Sequence, residues 1–577
     1  MKNNIKLFTI FLFGATIAFA DNEVFDGQDV SGEDFSGSSY KNSSWVGVSA
    51  IGTIFSNGWV SGASSIYTDS NFSNADLSDA SFSGANLENA NFTNANLSGV
   101  NFKYVKNLTD TQLRSAVDIT KINLNAVNIS NFNLSGLNLS DSDLSFTNVQ
   151  NVDFTNTNLS GINLNGIVNL TDRQLRSASN ISKMDFGNLN LNGFDLSGLN
   201  LCMSIFSSGR LIKTDFSNAN LRSSLFYNTS LLNANFTNAD VSQIYFTNAN
   251  LQGANFTSAN LSNSKFLAAN VKNTNFANAN LSGADLYRIK NLTDIQLRSA
   301  SDITNIRFGD LADFDLSGLD LTGANFYIAS SVLTRVNFSN SNLTDACWSN
   351  STLISIELRG ATIKSSGTSG HVSDIPLVSK MQNVIWTDGI IKNFSMESAS
   401  DNFTIRKYIP ATSGGEMISA KVSESDATVS GGATLKLDTG ARLDVVNKKT
   451  LTIAENGVLV IDTSLSDPTQ IYIESLAGLV IDGKLTVNIT EDLLDNVEYR
   501  FDLISFESDS NIASLKDLKP DESLYLTIKG KTFNGYWSCE INENKFTILA
   551  TQVPEPATVA AIFGALALGL AVYRKRR

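Results

Sequence analysis

One histidine, His371, and three cysteines, Cys202, Cys347 and Cys539, are all that the chain offers for imidazole or thiol chemistry. A Ser/His/Asp or Cys/His site needs a base held beside its nucleophile and oriented by a third group. His371 lies in a Gly/Ser-rich stretch and would have to serve alone. No Cys/His spacing suits a zinc ion, no glycine-rich loop suits a phosphate, and no pair of carboxylates is recognisable as a glycosidase acid and base. The chain is therefore expected to be no enzyme and to need no cofactor or metal. Asn and Asp side chains recur instead as ladders that could meet cations or glycans, although such side chains also satisfy turn backbone and keep a surface wet. The Asn-x-Ser/Thr triplets are what an Asn- and Ser-rich repeat produces by chance and are no sign of glycosylation.

The ladders arise from a five-residue period. Between residues 211 and 286 the apolar residues Phe216, Leu221, Phe226, Leu231, Phe236, Val241, Phe246, Leu251, Phe256, Leu261, Phe266, Val271, Phe276 and Leu281 keep the beat. A small residue usually stands two positions earlier, as at Ala219, Ala234 and Ala249, with Asn or Asp between. The unit reads A-[N/D]-[L/F]-x-x. Five fits neither the 3.6 of a helix nor the 2.0 of a strand, so a solenoid is the expected way to bury it. Cys202 and Cys347 fall in this rhythm and read as small buried residues. Three cysteines supply no disulfide framework, so stability must come from stacking.

The beat is strict from Phe72 to Phe102, Leu-rich from Leu124 to Leu164, continuous again from Phe186, and looser from Leu316 to Ile363. Stretches such as Ala75-Asp76-Leu77-Ser78-Asp79 and Ala95-Asn96-Leu97-Ser98-Gly99 resemble the pentapeptide-repeat family. That resemblance implies an all-β solenoid, a right-handed quadrilateral β-helix with four pentapeptides per coil. Leu or Phe and the small residue would point inward, and Asn or Asp outward. A square of four short faces has room for one large and one small side chain per face. Phe recurring every ten residues would then occupy opposite faces, and every twenty would stack on itself. Each buried Phe or Leu contributes roughly 1.5–3 kcal/mol before entropy. Roughly 240 residues in this pattern make about 12 coils and a rod on the order of 55–60 Å. Residues 21–70, with Phe25, Val30, Phe35 and Tyr40 on the same beat, read as degenerate first coils or a cap.

Three interruptions share one motif, Thr-Asp-x-Gln-Leu-Arg-Ser, near 107–117, 169–179 and 291–301. Thr109, Thr171 and Thr293 with Gln112, Gln174 and Gln296 predict capping boxes, hence short helices leaving the solenoid wall. They read as insertions that wedge the rod or as a repeated binding ridge. Their separations, 62 and 122 residues, suggest duplication of a larger module with one insert lost. The solenoid is expected over 71–364 and a linker over 365–426, where Ser365-Ser366-Gly367 breaks the pattern. Over 427–552, short alternating segments such as Thr434-Leu435-Lys436-Leu437 predict a smaller strand-rich region. Its glycine placement resembles parallel β-helices of autotransporter passengers, with a β-sandwich as the competing arrangement.

Both ends carry targeting patterns. Residues 1–20 have a basic start, an apolar run and Ala18-Phe19-Ala20 before Asp21, which reads as a signal peptide cleaved between Ala20 and Asp21. Over 553–577, Val553-Pro554-Glu555-Pro556 precedes about 17 apolar residues and the basic cluster Arg574, Lys575, Arg576 and Arg577. A helix of that run would be roughly 25 Å long, at the short limit for a membrane span. This order resembles the PEP-CTERM sorting signal of Gram-negative bacteria. The resemblance implies recognition of Pro554, Glu555 and Pro556 by an exosortase, transient anchoring in the inner membrane through the transmembrane helix, and release or transfer to the cell surface or extracellular matrix. A permanent tail anchor is the plainer alternative.

The net charge of −14 becomes −14 − 6 = −20 once Lys2, Lys6 and the four terminal cations leave. Such acidity argues against nucleic acid as a partner. The expected partners are the export machinery, the exosortase, and exopolysaccharide or surface proteins. Two other functions stay open: a binding inhibitor like the DNA-mimicking pentapeptide-repeat proteins, and a polysaccharide-binding or polysaccharide-active protein.

Overall fold

The computed structural model describes residues 21–552 apart from 38, 57–64, 327–330, 349–350, 365–379, 393, 395, 399–400, 407, 409–418, 474–476, 482–483, 492, 494–497, 507–523, 529–530, 533–534 and 543–544. Two compact units divide the chain, Met1–Ile303 and Thr304–Arg577.

The N-terminal unit is built from one local device. The Ala75 N–H donates to the Phe72 carbonyl at 3.2 Å, closing a β-turn whose third residue, Asn74, has φ 58°. A positive φ there makes the turn type II, which Gly and Asn tolerate best. This is why the last position of the repeat is so often Asn, Asp or Gly, as at Asp79, Gly84, Asn89 and Asn94. Between turns, single β-bridges join coils in parallel. Asn71 pairs with Asn91, Asp76 with Asn96, Ser81 with Asn101 and Asn86 with Lys106, one pair on each of four faces. We call these the first to fourth faces.

In the strict repeats Phe fills the first and third faces and Leu or Val the second and fourth, as the ten-residue alternation predicts, whereas Leu124, Leu134, Leu144 and Leu164 take the Phe positions in the Leu-rich coils. Phe216, Phe236 and Phe256 stack on the first face at 5.0 and 4.6 Å, and Phe206 on Phe226 on the third at 4.7 Å. Residues 21–56 are coils of the same kind, with Val24–Ser44 and Asp29–Ser49 bridges. Aromatic rings fill them, Phe25 on Trp45 at 3.9 Å and Phe35 on Phe55 at 5.7 Å. Counting these and the helix-bearing coils, the unit has about fourteen coils, roughly 65 Å at 4.8 Å each, longer than the strict repeats alone imply.

The three helices, α1 (Asp110–Ser115), α2 (Asp172–Ser177) and α3 (Asp294–Ser299), carry the expected capping boxes. They correct one expectation, since they do not leave the wall. Each replaces a single pentapeptide face and lengthens its coil from 20 residues to 22, as Asn101–Asn123, Asn163–Asp185 and Asn280–Asp302 show. Leu113, Leu175 and Leu297 still point inward, buried like the Leu or Phe they replace.

In the C-terminal unit β1 (Leu311–Ala312), β2 (Val332–Thr334), β3 (Thr352–Ile354) and β4 (Lys380–Gln382) form a parallel four-stranded sheet. Bridges such as Asp315–Asn337–Glu357 supply its other walls. The stretch expected as a linker, 365–426, instead holds β4, β5 (Val384–Ile385), β6 (Ile391–Lys392), β7 (Asn402–Ile405) and β8 (Ala420–Val422). Beyond them run β9 (Ala427–Val429), β10 (Thr434–Leu437), β11 (Arg442–Val445), β12 (Thr450–Ile453), β13 (Val458–Thr463), β14 (Gln470–Ile473), β15 (Gly478–Ile481), β16 (Lys484–Ile489) and β17 (Glu498–Phe506). The last are β18 (Leu524–Ile528), β19 (Lys531–Thr532), β20 (Gly535–Asn542) and β21 (Lys545–Gln552).

The strands stack in parallel on three faces, β7-β10-β13-β16-β18, β8-β11-β14-β17 and β9-β12-β15. The alternative left open by the sequence thus resolves as a three-faced β-helix rather than a sandwich. One core of Leu, Ile, Val and Ala runs through it, with Leu435, Leu459 and Leu485 in register. The antiparallel pairs β18–β19, β17–β21 and β21–β20 close its end.

Candidate functional site

Of the targeting residues, Asp21 alone lies within the described residues. Its carboxylate accepts from Ser39 Oγ at 3.0 Å and the Lys41 N–H at 3.1 Å, so the chain is tied into the first coil immediately after the expected cleavage point. Ala18, Ala20, Val553, Pro554, Glu555, Pro556, Arg574, Lys575, Arg576, Arg577 and the spanning helix expected between them lie outside the described residues, as does His371. Among the described residues no helix is long and apolar enough to cross a membrane. Nor is any group of three His, Cys, Asp or Glu among them placed to hold a metal ion. Cys347 is buried, but Cys202 is half-exposed on an outward position, against expectation.

The Asn and Asp ladders serve the wall. Asn91 Oδ1 accepts from the Thr93 N–H at 3.0 Å, and Asn91 Nδ2 donates to Asn71 Oδ1 one coil earlier at 3.0 Å. Asn96 with Asp76, Asn158 with Asn138 and Asn235 with Asp215 repeat the link. Each side chain thus fixes its own turn and the adjacent coil.

The helix motif divides its labour in the same manner. Thr109 caps the Gln112 N–H, and Gln112 Oε1 accepts the Thr109 N–H at 2.7 Å. Gln112 Nε2 donates to Leu87 O and Ala90 O of the preceding coil at 2.8 and 2.9 Å, replacing the backbone N–H that a plain pentapeptide would have offered. Toward the following coil, Asp110 accepts the Asn133 N–H at 2.9 Å and Arg114 donates to Ser135 O at 2.8 Å. Ser115 Oγ closes the last turn onto Gln112 O. In α2, Gln174 reaches Val149 O and Arg176 reaches Ser197 O, both at 2.8 Å. In α3, Gln296 reaches Val271 O and Thr274 O, both at 2.8 Å.

Replacing Gln296, which is buried, by Leu strands the Thr274 carbonyl and the Thr293 N–H and leaves Val271 O only its turn bond from the Thr274 N–H. We expect a loss of about 2 kcal/mol, with amide exchange accelerated first around residues 271–274. The same change at the more exposed Gln174 should cost less.

All three helices stand on the first face, because its ladder runs from Asn91 through α1 to Asn133 and Asp153, through α2 to Asp195, and by Asp215, Asn235, Asn255 and Asn275 to α3. They are three and six coils apart, roughly 14 and 29 Å. A 62-residue interval is one 22-residue coil and two of 20, and 122 is one of 22 and five of 20. The face is therefore kept, a signal present in the spacing itself.

Open grooves flank two of the helices. One of about 630 Å³ lies beside α2, lined by Asp153, Thr155, Asn169, Arg173 and Gln174. Another of about 550 Å³ lies beside α3, lined by Lys272, Asn275, Asn291 and Ile295. The exposed position that follows the helical Asp differs in each helix, Thr111, Arg173 and Ile295, so the three ridges present different chemistry.

Charges on this face are mild. Bonds from the Ser197 hydroxyl and N–H, and then the Arg176 guanidinium at 3.2 Å, hold the Asp195 carboxyl below its usual range. A lowered folded-state pKa adds stability that is present above about pH 4 and is lost as pH falls through the folded value. Asp195→Asn keeps an acceptor oxygen for Ser197, so we expect near-wild-type melting at pH 7 and a shallower loss than wild type below about pH 4.

The comparisons with known proteins point to the repeats. The family model described as pentapeptide repeats matches residues 68–103, 122–161, 214–253 and 254–290 in eight copies. No curated protein matches. Among solved structures, a pentapeptide repeat protein from the Arabidopsis thaliana thylakoid lumen is 28% identical over 17% of this chain and 67% of its own, with a TM-score of 0.17. HetL, a pentapeptide repeat protein involved in heterocyst differentiation regulation from the cyanobacterium Nostoc sp. strain PCC 7120, is 20% identical over 49% and 99%, with a TM-score of 0.17. QnrB1, a plasmid-mediated fluoroquinolone resistance protein, is 22% identical over 37% and 93%, again with a TM-score of 0.17.

Proposed function

Given that the chain is a pentapeptide-repeat protein, we propose that it is a non-enzymatic scaffold exported to the bacterial surface or extracellular matrix, where its flat walls meet exopolysaccharide or other surface proteins. The observation that carries the scaffold reading is where the polar groups of the repeats go. The asparagine ladders and the helix motif bond to neighbouring coils, which leaves extended faces rather than a catalytic cleft. Export rests on Ala18-Phe19-Ala20 before Asp21 and on Val553-Pro554-Glu555-Pro556 with its apolar run and basic end.

Fractionation of cells with and without the exosortase tests this. A shorter form should reach the surface when the exosortase is present, and the precursor should collect in the inner membrane when it is absent. Persistence of the unprocessed inner-membrane form in normal cells would sink the sorting reading. Supercoiling by gyrase should be indifferent to the full chain at high concentration, whereas inhibition would favour the binding-inhibitor class.

A further inference from the structure

Most outward ladder positions of the N-terminal unit are Asn, Asp or Ser, but the third face breaks this rule. Its ladder reads Ile205, Leu225, Tyr245 and Lys265 in four successive coils. Five aromatic rings of the unit occupy outward positions among the described residues, namely Tyr104, Phe146, Tyr227, Tyr245 and Tyr287. Each sits on the third face or on the corner that follows it, since Tyr104 and Phe146 are the positive-φ turn residues after Phe102 and Leu144, and Tyr227 and Tyr287 follow Phe226 and Leu286. Tyr104 and Phe146 are 57% and 63% exposed, so no neighbouring wall covers them. The corner also makes room for a ring. A Cβ on Gly166 would come within 2.6 Å of the Phe146 ring, so glycine one coil later lets that ring lie along the surface.

Three of the five rings carry a cation. Lys103 Nζ lies 4.9 Å from the Tyr104 centroid, Lys265 Nζ 4.7 Å from that of Tyr245, and the Arg288 guanidinium 5.1 Å from that of Tyr287. On a chain of net charge −14 this pairing of ring and cation on one face is a local reversal. A ring offers an apolar plate to the C–H face of a pyranose, and the cation beside it offers a partner for a carboxylate on the same sugar. Tyr245 and Tyr287 lie two coils apart, roughly 10 Å along the axis, so the pattern suits a polymer lying along the wall.

We propose that the third face binds an extended acidic polysaccharide bearing uronate groups, with Tyr245–Lys265 and Tyr287–Arg288 as its main contacts and Ile205, Leu225 and Tyr227 as an apolar continuation. The proposal rests on the export reading in one respect, the choice of polysaccharide over single-stranded nucleic acid, whose bases would stack on the same rings.

Affinity electrophoresis of the purified full chain through gels containing polygalacturonate, dextran or poly(dT) tests it. Retardation is expected with polygalacturonate alone, weakening as salt rises. Tyr245→Ser with Tyr287→Ser, and separately Lys265→Gln with Arg288→Gln, should each lower that affinity at least tenfold with unchanged melting curves. Tyr245→Phe with Tyr287→Phe should retain it, as should Ile295→Ser on the first face. The proposal is overturned by no retardation with polygalacturonate, by equal retardation with dextran, by stronger retardation with poly(dT), or by binding that survives both pairs of disruptive changes. Because the assay needs only purified protein, a chain that stays in the cytosol yet binds polygalacturonate would remove the export reading alone. A surface-sorted chain that fails to bind would remove this one alone.

Discussion

Replacing Arg359 by alanine is expected to remove about 3–5 kcal/mol of stability from the C-terminal unit, because it leaves the Glu357 carboxylate buried without its charge partner. Both side chains stand on an outer wall of the last pentapeptide coils, yet only 1% of Arg359 and 3% of Glu357 is exposed. The cover is the chain that contains β7. Arg359 donates to Glu357 through Nε at 2.9 Å and Nη2 at 2.7 Å, and from Nη2 to Arg406 O at 2.8 Å. Its guanidinium also lies 5.2 Å from the Tyr408 ring, and Tyr408 bonds to Asn340 Oδ1 at 3.0 Å. Since β7 is the last strand of its sheet, its outer edge needs a cover. Arg359 and Ser355, which donates to Asn402 O, do this.

Amide exchange should therefore rise across 402–406 and 353–358 in Arg359→Ala before it rises in β13 or β16. Removing both charges, with Glu357→Leu and Arg359→Met, should recover part of the loss. If Arg359→Ala unfolds no earlier in denaturant than wild type, the clasp has no energetic weight.

Phe236→Ala is the second large loss, about 3–5 kcal/mol for a fully buried Phe. Phe236 is wholly buried, lies flat between Phe216 and Phe256, and meets Phe226 and Phe246 edge-on at 6.4 and 6.1 Å. A coil contacts only its two neighbours, so the damage should be local, as in repeat proteins generally. Exchange should accelerate between about residues 216 and 256 while the coils of residues 72–102 keep their protection. Phe236→Leu, which keeps most of the apolar surface, should cost a fraction of this. Uniform loss of protection along the whole unit would contradict nearest-neighbour stacking.

The sequence by itself determined the interior of the wall. A five-residue period leaves one large and one small inward position per face, so Phe216, Phe236 and Phe256, each twenty residues apart, fall in one column by the period alone. The capping boxes at Thr109, Thr171 and Thr293 were equally legible, because a cap is made by residues three apart. The tertiary structure alone decided what depends on the coil above or below. The Gln112 side-chain amide donates to backbone carbonyls 22 and 25 positions earlier, so α1 belongs to the wall rather than to an excursion from it. Arg359 is buried by a segment 47 residues further on, within a stretch whose Gly and Ser content reads as a linker. The gathering of Tyr104, Phe146, Tyr227, Tyr245 and Tyr287 on one face depends on every intervening coil being 20 or 22 residues long. The period is a local steric property of the turn and the narrow square interior, whereas a face is the running sum of coil lengths, and no short window of sequence contains that sum.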